Sequence, residues 1–306
     1  MVKKQLPTLT VLVGLPASGK TTYTKDIKEN SPKSVVLSSD EIRGKLLGSV
    51  QDQSNNEEVF NHLYMVMQSN LLTFNNVVID ATNITRKTRA KIFERLRNIP
   101  CKVIAVVFAT PYSVCLERNK NREKSVPERV IERMYKGFQF PQKFEGFDEI
   151  IIQSSLDFVQ SFNRLVELNG ATICFDQKSN YHSLTLDEHM EKVASSILTL
   201  MKEYPLANLF CAAKFHDVGK PIVQTWNEEK QVMNYYGHEN VGAYEMMVCS
   251  EFLSFIDIEE VLFYIGYHML PYSFVQEKTQ EKYKKLFGDE LFNNLILLNL
   301  ADREAH

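Results

Sequence analysis

The stretch "TLTVLVGLPASGKTTYTKDIKEN", residues 8–30, decides how the first half of the chain is read. A short β-rich run leads into Gly14-xxxx-Gly19-Lys20-Thr21, and a helix-period segment follows. In a strand–glycine loop–helix, backbone N–H groups cradle phosphates at the helix N-terminus, the Lys neutralises the β and γ phosphates, and the Thr hydroxyl holds Mg²⁺. Gly14, Ser18, Gly19, Lys20, Thr21 and Thr22 are therefore expected to bind ATP, with Thr21 on the metal. The basic start and apolar run at the N-terminus do not make a signal peptide. The run is too short and passes straight into the glycine loop.

Outward from this stretch, strand and helix signals alternate. "SVVLSSD", "NNVVIDAT", "KVIAVVFAT" and "FDEIIIQ" are further short apolar runs. Between them, "EEVFNHLYMVMQSNLLTF" places Phe60, Leu63, Met67, Leu71 and Phe74 three or four residues apart, the pattern of an amphipathic helix. Such alternation predicts a parallel sheet covered by helices on both faces. After about residue 170 the segments turn helical in period, among them "LTLDEHMEKVASSILTLMKEY", "LANLFCAAKFHD" and "DELFNNLILLNLADREA". The fold class is thus an α/β domain over residues 1–165, then an all-α domain over 172–306, joined near 155–180.

A chain of 306 residues is comfortable for two cores, and a net charge of −3 gives no overall bias toward nucleic acid, so such binding would rest on local patches. The five Cys show no paired spacing and lie in or beside apolar runs, which predicts buried, reduced thiols. No stretch approaches the roughly 20 apolar residues of a membrane span. The expectation is a soluble protein of the cytoplasm, in a bacterial or phage-infected bacterial cell.

Three further segments bear on phosphoryl transfer. In "SSDEIR", Asp40 and Arg43 share a face if a helix begins there. Asp40 could then accept the proton of an attacking hydroxyl while Arg43 holds an anion. The same spacing also suits a capping Asp with a surface ion pair. The basic segment 115–137 suits a lid, with Arg118 and Arg122 four apart on one helix face. Tyr112, Tyr135, Phe138 and Phe140 nearby are read either as core or as stacking groups for a single strand.

Together, "GLPASGKTT", "SSDEIR", "VVIDATN", "ERNKNR" and "SVPERVIERMYKGF" resemble the P-loop 5′-polynucleotide kinase family of bacteriophage end-healing type, over roughly the first 140 residues. The resemblance implies that Asp40 is the general base and that Arg43 grips the acceptor strand's phosphate. It also implies that Arg122 is the lid arginine on the donor phosphates and that Asp80 lies near the site, through metal or structure.

The second half carries "KFHDVGKP" at 214–221, with His189 upstream and His238, His268 and Asp302 downstream. Imidazole and carboxylate ligands suit Mn²⁺, Fe²⁺, Co²⁺, Ni²⁺ or Zn²⁺, and a bundle can aim them at one centre. The order H…HD…H…H…D is similar to the HD phosphohydrolase superfamily over about 185–302. That resemblance implies that His189, His216, Asp217 and Asp302 hold a first metal, that His238 and His268 help hold a second, that Asp217 bridges, and that Lys220 sits near the substrate phosphate. Asp302 lies so near the end of the sequence that the last helix is expected to fray around it.

The two halves fit one enzyme if each treats one end of a broken strand. Bifunctional enzymes that join these modules act in RNA repair, which implies RNA or DNA single-strand ends as substrate and an RNA ligase as a pathway partner. A small-molecule kinase joined to an HD nucleotidase, and a polynucleotide kinase with a non-catalytic HD module, stay open as alternatives.

Overall fold

The computed structural model describes residues 6–31, 33–178, 183–200 and 207–305. The expected junction's last residues, 179–180, and the end of the predicted helix at 201–204 lie outside them. The chain divides into two compact units, Met1–Ile131 with Pro141–Gln153, and Glu132–Phe140 with Ser154–His306.

In the first unit the elements are β1 Thr8–Val13, α1 Lys20–Asn30, β2 Ser34–Ser38, α2 Ser39–Leu47, α3 Asn56–Leu72, β3 Asn76–Asp80, α4 Arg86–Leu96, β4 Lys102–Ala109 and α5 Tyr112–Lys120. Helix α6, Glu128–Lys136, runs from this unit into the second, and β5, Glu149–Ser154, completes the sheet. The strand order is β2-β3-β1-β4-β5, with β1 parallel to both β3 and β4, and β2 parallel to β3. Leu9, Val11, Leu12 and Val13 on the central strand are all fully buried, as a strand covered on both faces requires. Leu12, Val78, Val106 and Phe108 form one core cluster, against which Tyr23 and Ile27 of α1 pack.

Side-chain caps start the helices where the sequence turns. Ser38 accepts from Glu41 N, Asn55 from Glu58 N, and Thr85 from Thr88 N. The amphipathic reading of α3 is borne out at Leu63, Met67 and Leu71, but Phe74 lies past the helix end at φ 63° and is exposed. The thiols also depart from expectation. Cys115 and Cys249 are buried, Cys101 and Cys211 half-buried, and Cys174 is exposed in a turn.

The second unit holds α7 Phe158–Gly170, α8 Leu186–Leu200, α9 Ala207–Phe215, α10 Lys220–Val223, α11 His238–Val248, α12 Ile258–Tyr267, α13 Glu277–Phe287 and α14 Asp289–Glu304. A hairpin of β6 Thr225–Asn227 and β7 Val232–Asn234 interrupts them; it is too short to leave a periodic signal. Asp157 caps α7 through a reciprocal pair with Gln160. Val193, Ile197, Leu209, Ala212, Val241, Phe263 and Leu295 are fully buried between the helices. Glu245 of α11 is buried there too. It accepts from Arg164 Nε and Nη2 at 3.0 and 2.7 Å and from the Tyr135 phenol. Tyr135 and Phe138 pack edge-on against Tyr244. Among the described residues, no helix is long and apolar enough to cross a membrane.

Candidate functional sites

The phosphate loop is built by β1, α1 and the ends of two neighbouring strands. Gly14 N donates to Thr82 O at 3.0 Å, and Thr110 Oγ1 donates to Ser18 O at 2.9 Å. Gly19 has φ 109° and so demands glycine, while a Cβ at Gly14 would stand 2.6 Å from Ser18 Oγ and displace it. Lys20 Nζ donates to the carbonyls of Gly14 and Leu15 at 2.9 and 2.6 Å and reaches Ser18 Oγ at 3.4 Å. Burial lowers its pKa to about 8, a shift that Asp80 and Asp40 oppose and Arg122 reinforces. Asp40, Asp80 and Arg122 therefore surround Lys20 closely enough for their charges to bear on it. Thr21 and Thr22 are exposed on the first turn of α1.

Asp80 ends β3 half-buried, and burial raises its carboxyl pKa. Asn83 of its motif is structural, held by Arg89 of α4. Asn83, at φ 46°, donates to Leu12 O at 2.9 Å, and Arg89 Nη1 donates back to Asn83 O at 3.0 Å. Wholly buried Arg89 is neutralised by a two-pronged contact with Glu145.

Asp40 and Arg43 do share a face of α2. Arg43 Nη1 donates to Asp40 Oδ1 at 2.6 Å and Nη2 to Asn56 Oδ1 at 3.2 Å. Arg43 is buried, and its Nε has no hydrogen-bond partner among the described residues, whereas the Asp40 side chain is 68% exposed. The arrangement fixes a carboxylate that solvent can reach.

The basic helix–turn–helix is present as α5 and α6, but Arg118 and Arg122 are not on one helix face. Helix α5 ends at Lys120 because the Asn119 side chain takes over the backbone's partners, donating to Val126 O and accepting from Val126 N. Arg122 thus projects from the turn, while Arg118 lies exposed in the last helical turn. Tyr135, Phe138 and Phe140 are buried and serve the core, leaving Tyr112 half-buried.

In the second unit all six metal-ligand candidates converge. They form two buried groups, His189 with His216 and Asp302, and Asp217 with His238 and His268. Asp302 Oδ1 lies 3.1 Å from His189 Nε2 and 3.5 Å from His216 Nε2. Asp217 turns one oxygen to each group. Oδ2 is 3.6 and 3.4 Å from His189 and His216 Nε2, and Oδ1 is 3.1 and 3.5 Å from His238 and His268 Nε2. Helix α14 carries Asp302 buried and stays helical through Glu304, so the expected fraying is not seen.

The imidazoles are preset for a cation. Nδ1 of His216, His238 and His268 donates to the carbonyl three residues back, at 2.8, 2.8 and 2.7 Å, which leaves the Nε2 lone pair for a ligand. His238 and His268 then face each other Nε2 to Nε2 at 3.1 Å, a contact that is satisfied by one shared proton or by a cation that both nitrogens ligate. Buried His216 Nε2 lies 3.4 Å from Asp217 Oδ2 and 3.5 Å from Asp302 Oδ1, with no hydrogen bond of good geometry among the described residues. Burial works against an imidazolium there, but Asp217 and Asp302 outweigh it and push the His216 pKa up to about 10. Burial likewise opposes charge on Asp217, yet Lys220 and His216 hold its pKa well below the usual carboxylate range. The donor set fits two divalent metals sharing the Asp217 carboxylate.

Lys220 was expected near the substrate phosphate, but Gln177, Tyr272 and the close approach at Gly219 carried no sequence signal. Lys220 Nζ reaches Asp217 Oδ2 at 2.6 Å and is held by Gln177 Oε1 at 2.8 Å, from the segment before α8. The Tyr272 phenol donates to Asp302 Oδ2 at 2.9 Å. A Cβ on Gly219 would meet His238 O at 2.2 Å, so only glycine lets the Asp217–Lys220 turn close onto the start of α11.

Residues 9–141 match the family model described as an AAA domain, and residues 186–305 match that of the HD domain. L-seryl-tRNA(Sec) kinase of Methanococcus maripaludis is 24% identical over 169 residues, 53% of this chain and 66% of that one. Protein kti12 of Schizosaccharomyces pombe is 22% identical over 243 residues, 71% of this chain and 86% of that one. A solved chain of the Pnkp1/Rnl/Hen1 RNA repair complex is 23% identical with a TM-score of 0.40, and the match covers 44% of each chain. The chain therefore spans a little under two thirds of the seryl-tRNA(Sec) kinase and under half of the repair-complex chain. It joins a P-loop kinase domain of AAA type to an HD domain.

Proposed function

We propose that the chain heals both ends of a broken nucleic-acid strand, with RNA as the principal substrate. The first unit would phosphorylate a 5′-hydroxyl from ATP·Mg, and the second would open a 2′,3′-cyclic phosphate and remove the phosphate from the 3′ end. The observation that carries this reading is the pairing, in one chain, of a complete P-loop with an Asp217 carboxylate that offers one oxygen to each of two His-containing groups.

At the kinase site, Asp40 is the group that would take the proton of the attacking hydroxyl, and Arg43 fixes the orientation of its carboxylate. Lys20 would exchange its loop carbonyls for phosphate oxygens, and Arg122 would close from the turn after α5 onto the same charge. At the HD site, His189, His216 and Asp302 would hold one divalent ion, His238 and His268 a second, and Asp217 both. The chemistry supplied by ions bound there is activation of a water and neutralisation of charge at phosphorus. Lys220, fixed by Gln177 and Asp217, is placed to meet a phosphate oxygen.

The test uses a short RNA with a 5′-hydroxyl and a 2′,3′-cyclic phosphate, incubated with ATP, Mg²⁺ and Mn²⁺, both ends being read by mass spectrometry. Phosphate gained at the 5′ end and lost at the 3′ end is expected. An untouched RNA, from protein that still hydrolyses ATP or a simple phosphodiester, transfers the assignment to small-molecule substrates. The relative named L-seryl-tRNA(Sec) kinase favours one second reading, in which the acceptor hydroxyl belongs to a group carried by RNA rather than to the strand's 5′ end.

A further inference from the structure

Tyr272 lies in the single-turn 3₁₀ segment Leu270–Ser273, which closely follows His268. Its phenol holds Asp302 Oδ2 at 2.9 Å, while Oδ1 of that carboxylate faces His189 and His216. This hydrogen bond decides which carboxylate oxygen is presented to the His pair. It does not use the ring. Tyr272 is 44% exposed, and Met269 and Val275 beside it in sequence are exposed as well, the latter at 91%.

A tyrosine needed only to orient Asp302 would be better buried, since removing a ring from water is favourable and shields its hydrogen bond. Here the ring whose hydroxyl holds a carboxylate of the centre belongs to a residue left 44% exposed. The groups of the centre itself, Lys220 and the His/Asp set, are all suited to a phosphate and none to an apolar moiety. A phosphoester with a flat heterocycle supplies what the ring lacks, because every nucleobase has a π-face and stacking on an aromatic side chain tolerates any of them.

We infer that Tyr272 stacks on a nucleobase, and that the HD site acts on nucleobase-bearing phosphoesters rather than on small phosphorylated metabolites. The inference rests on the phosphohydrolase reading of this site. Two five-membered cyclic phosphates separate the claims, adenosine 2′,3′-cyclic phosphate and the base-free glycerol 1,2-cyclic phosphate. Both are tested with the full chain and Mn²⁺.

Wild type is expected to show a KM for the adenosine compound lower by about tenfold, the scale of one stacked base. Tyr272→Phe and Tyr272→Leu both lose the bond to Asp302, so kcat falls with either substrate. Only Leu also loses the ring, so the KM ratio persists in Phe and collapses in Leu. A ratio that is the same in all three proteins, or that collapses equally in Phe and Leu, overturns the stacking role. Calorimetric binding of adenosine 3′-phosphate to the Mn²⁺-loaded proteins keeps the two readings apart. Binding that weakens in Leu but not in Phe supports the inference even if no substrate turns over, an outcome that removes only the hydrolase reading. Equal binding by all three overturns it.

Discussion

Buried among the carbonyls of its own loop, the Lys20 ammonium is poorly hydrated and has no directly paired anion among the described residues. Its pKa of about 8 against an ordinary 10.5 means that the folded chain binds fewer protons than the unfolded one between those values. Stability contributed at this residue therefore rises with pH from about 8 to 10.5, and the cost of the buried charge is fully present below 8. Phosphates brought to the loop reverse the balance, so nucleotide binding at pH 8.5 is expected to take up a proton. Binding enthalpies measured in buffers of different ionisation heat would show it, and Lys20→Met would abolish it. Asp217 makes the corresponding prediction in the second unit. Because its two oxygens face different His groups, Asp217→Asn is expected to lower metal content from about two ions per chain toward zero, whereas His238→Ala loses about one. Elemental analysis of the purified proteins decides it, and equal losses in both variants would contradict a shared carboxylate.

At the scale of elements, the HD centre depends on how closely α10 and α11 approach. Gly219 has ordinary dihedral angles, so its requirement is steric: a methyl group there collides with His238 O. Gly219→Ala is expected to destabilise the chain by about 1–3 kcal/mol and to weaken metal binding in parallel, as seen by thermal unfolding with and without Mn²⁺. Farther along α11, Glu245 is held by Arg164 and Tyr135. Glu245→Ala strips a buried charge from a guanidinium that is itself two-thirds covered, and about 3 kcal/mol of stability should go with it. Glu245→Gln, which keeps an acceptor, should lose less. Periodicity exposed most of these elements in advance. The strands ended where small or polar residues followed, and α3 buried Leu63, Met67 and Leu71 as its 3–4 spacing predicted, though not Phe74. What escaped was local competition: Asn119 closes the turn between α5 and α6 with its own amide and so separates Arg118 from Arg122, a geometry no spacing rule contains.

Across the whole molecule, the motifs read from sequence were those whose chemistry demands fixed residue types at short range, such as the glycines and lysine of the phosphate loop. The His/Asp order was legible although its members are spread from 189 to 302, because each sits at a helix end or turn that the period already marked. The supporting residues were not legible. Gln177 and Tyr272 reach the centre from an irregular segment and a single 3₁₀ turn, and either could have been any polar residue by pattern alone. The account makes the two sites chemically independent, each responsible for one end of a strand. The most direct test places wild type, Lys20→Met and Asp217→Asn on the same RNA bearing a 5′-hydroxyl and a 2′,3′-cyclic phosphate, with ATP, Mg²⁺ and Mn²⁺. The account predicts both ends changed by wild type, only the 3′ end by Lys20→Met, and only the 5′ end by Asp217→Asn. An RNA whose two ends respond together to either substitution, or to neither, would contradict it.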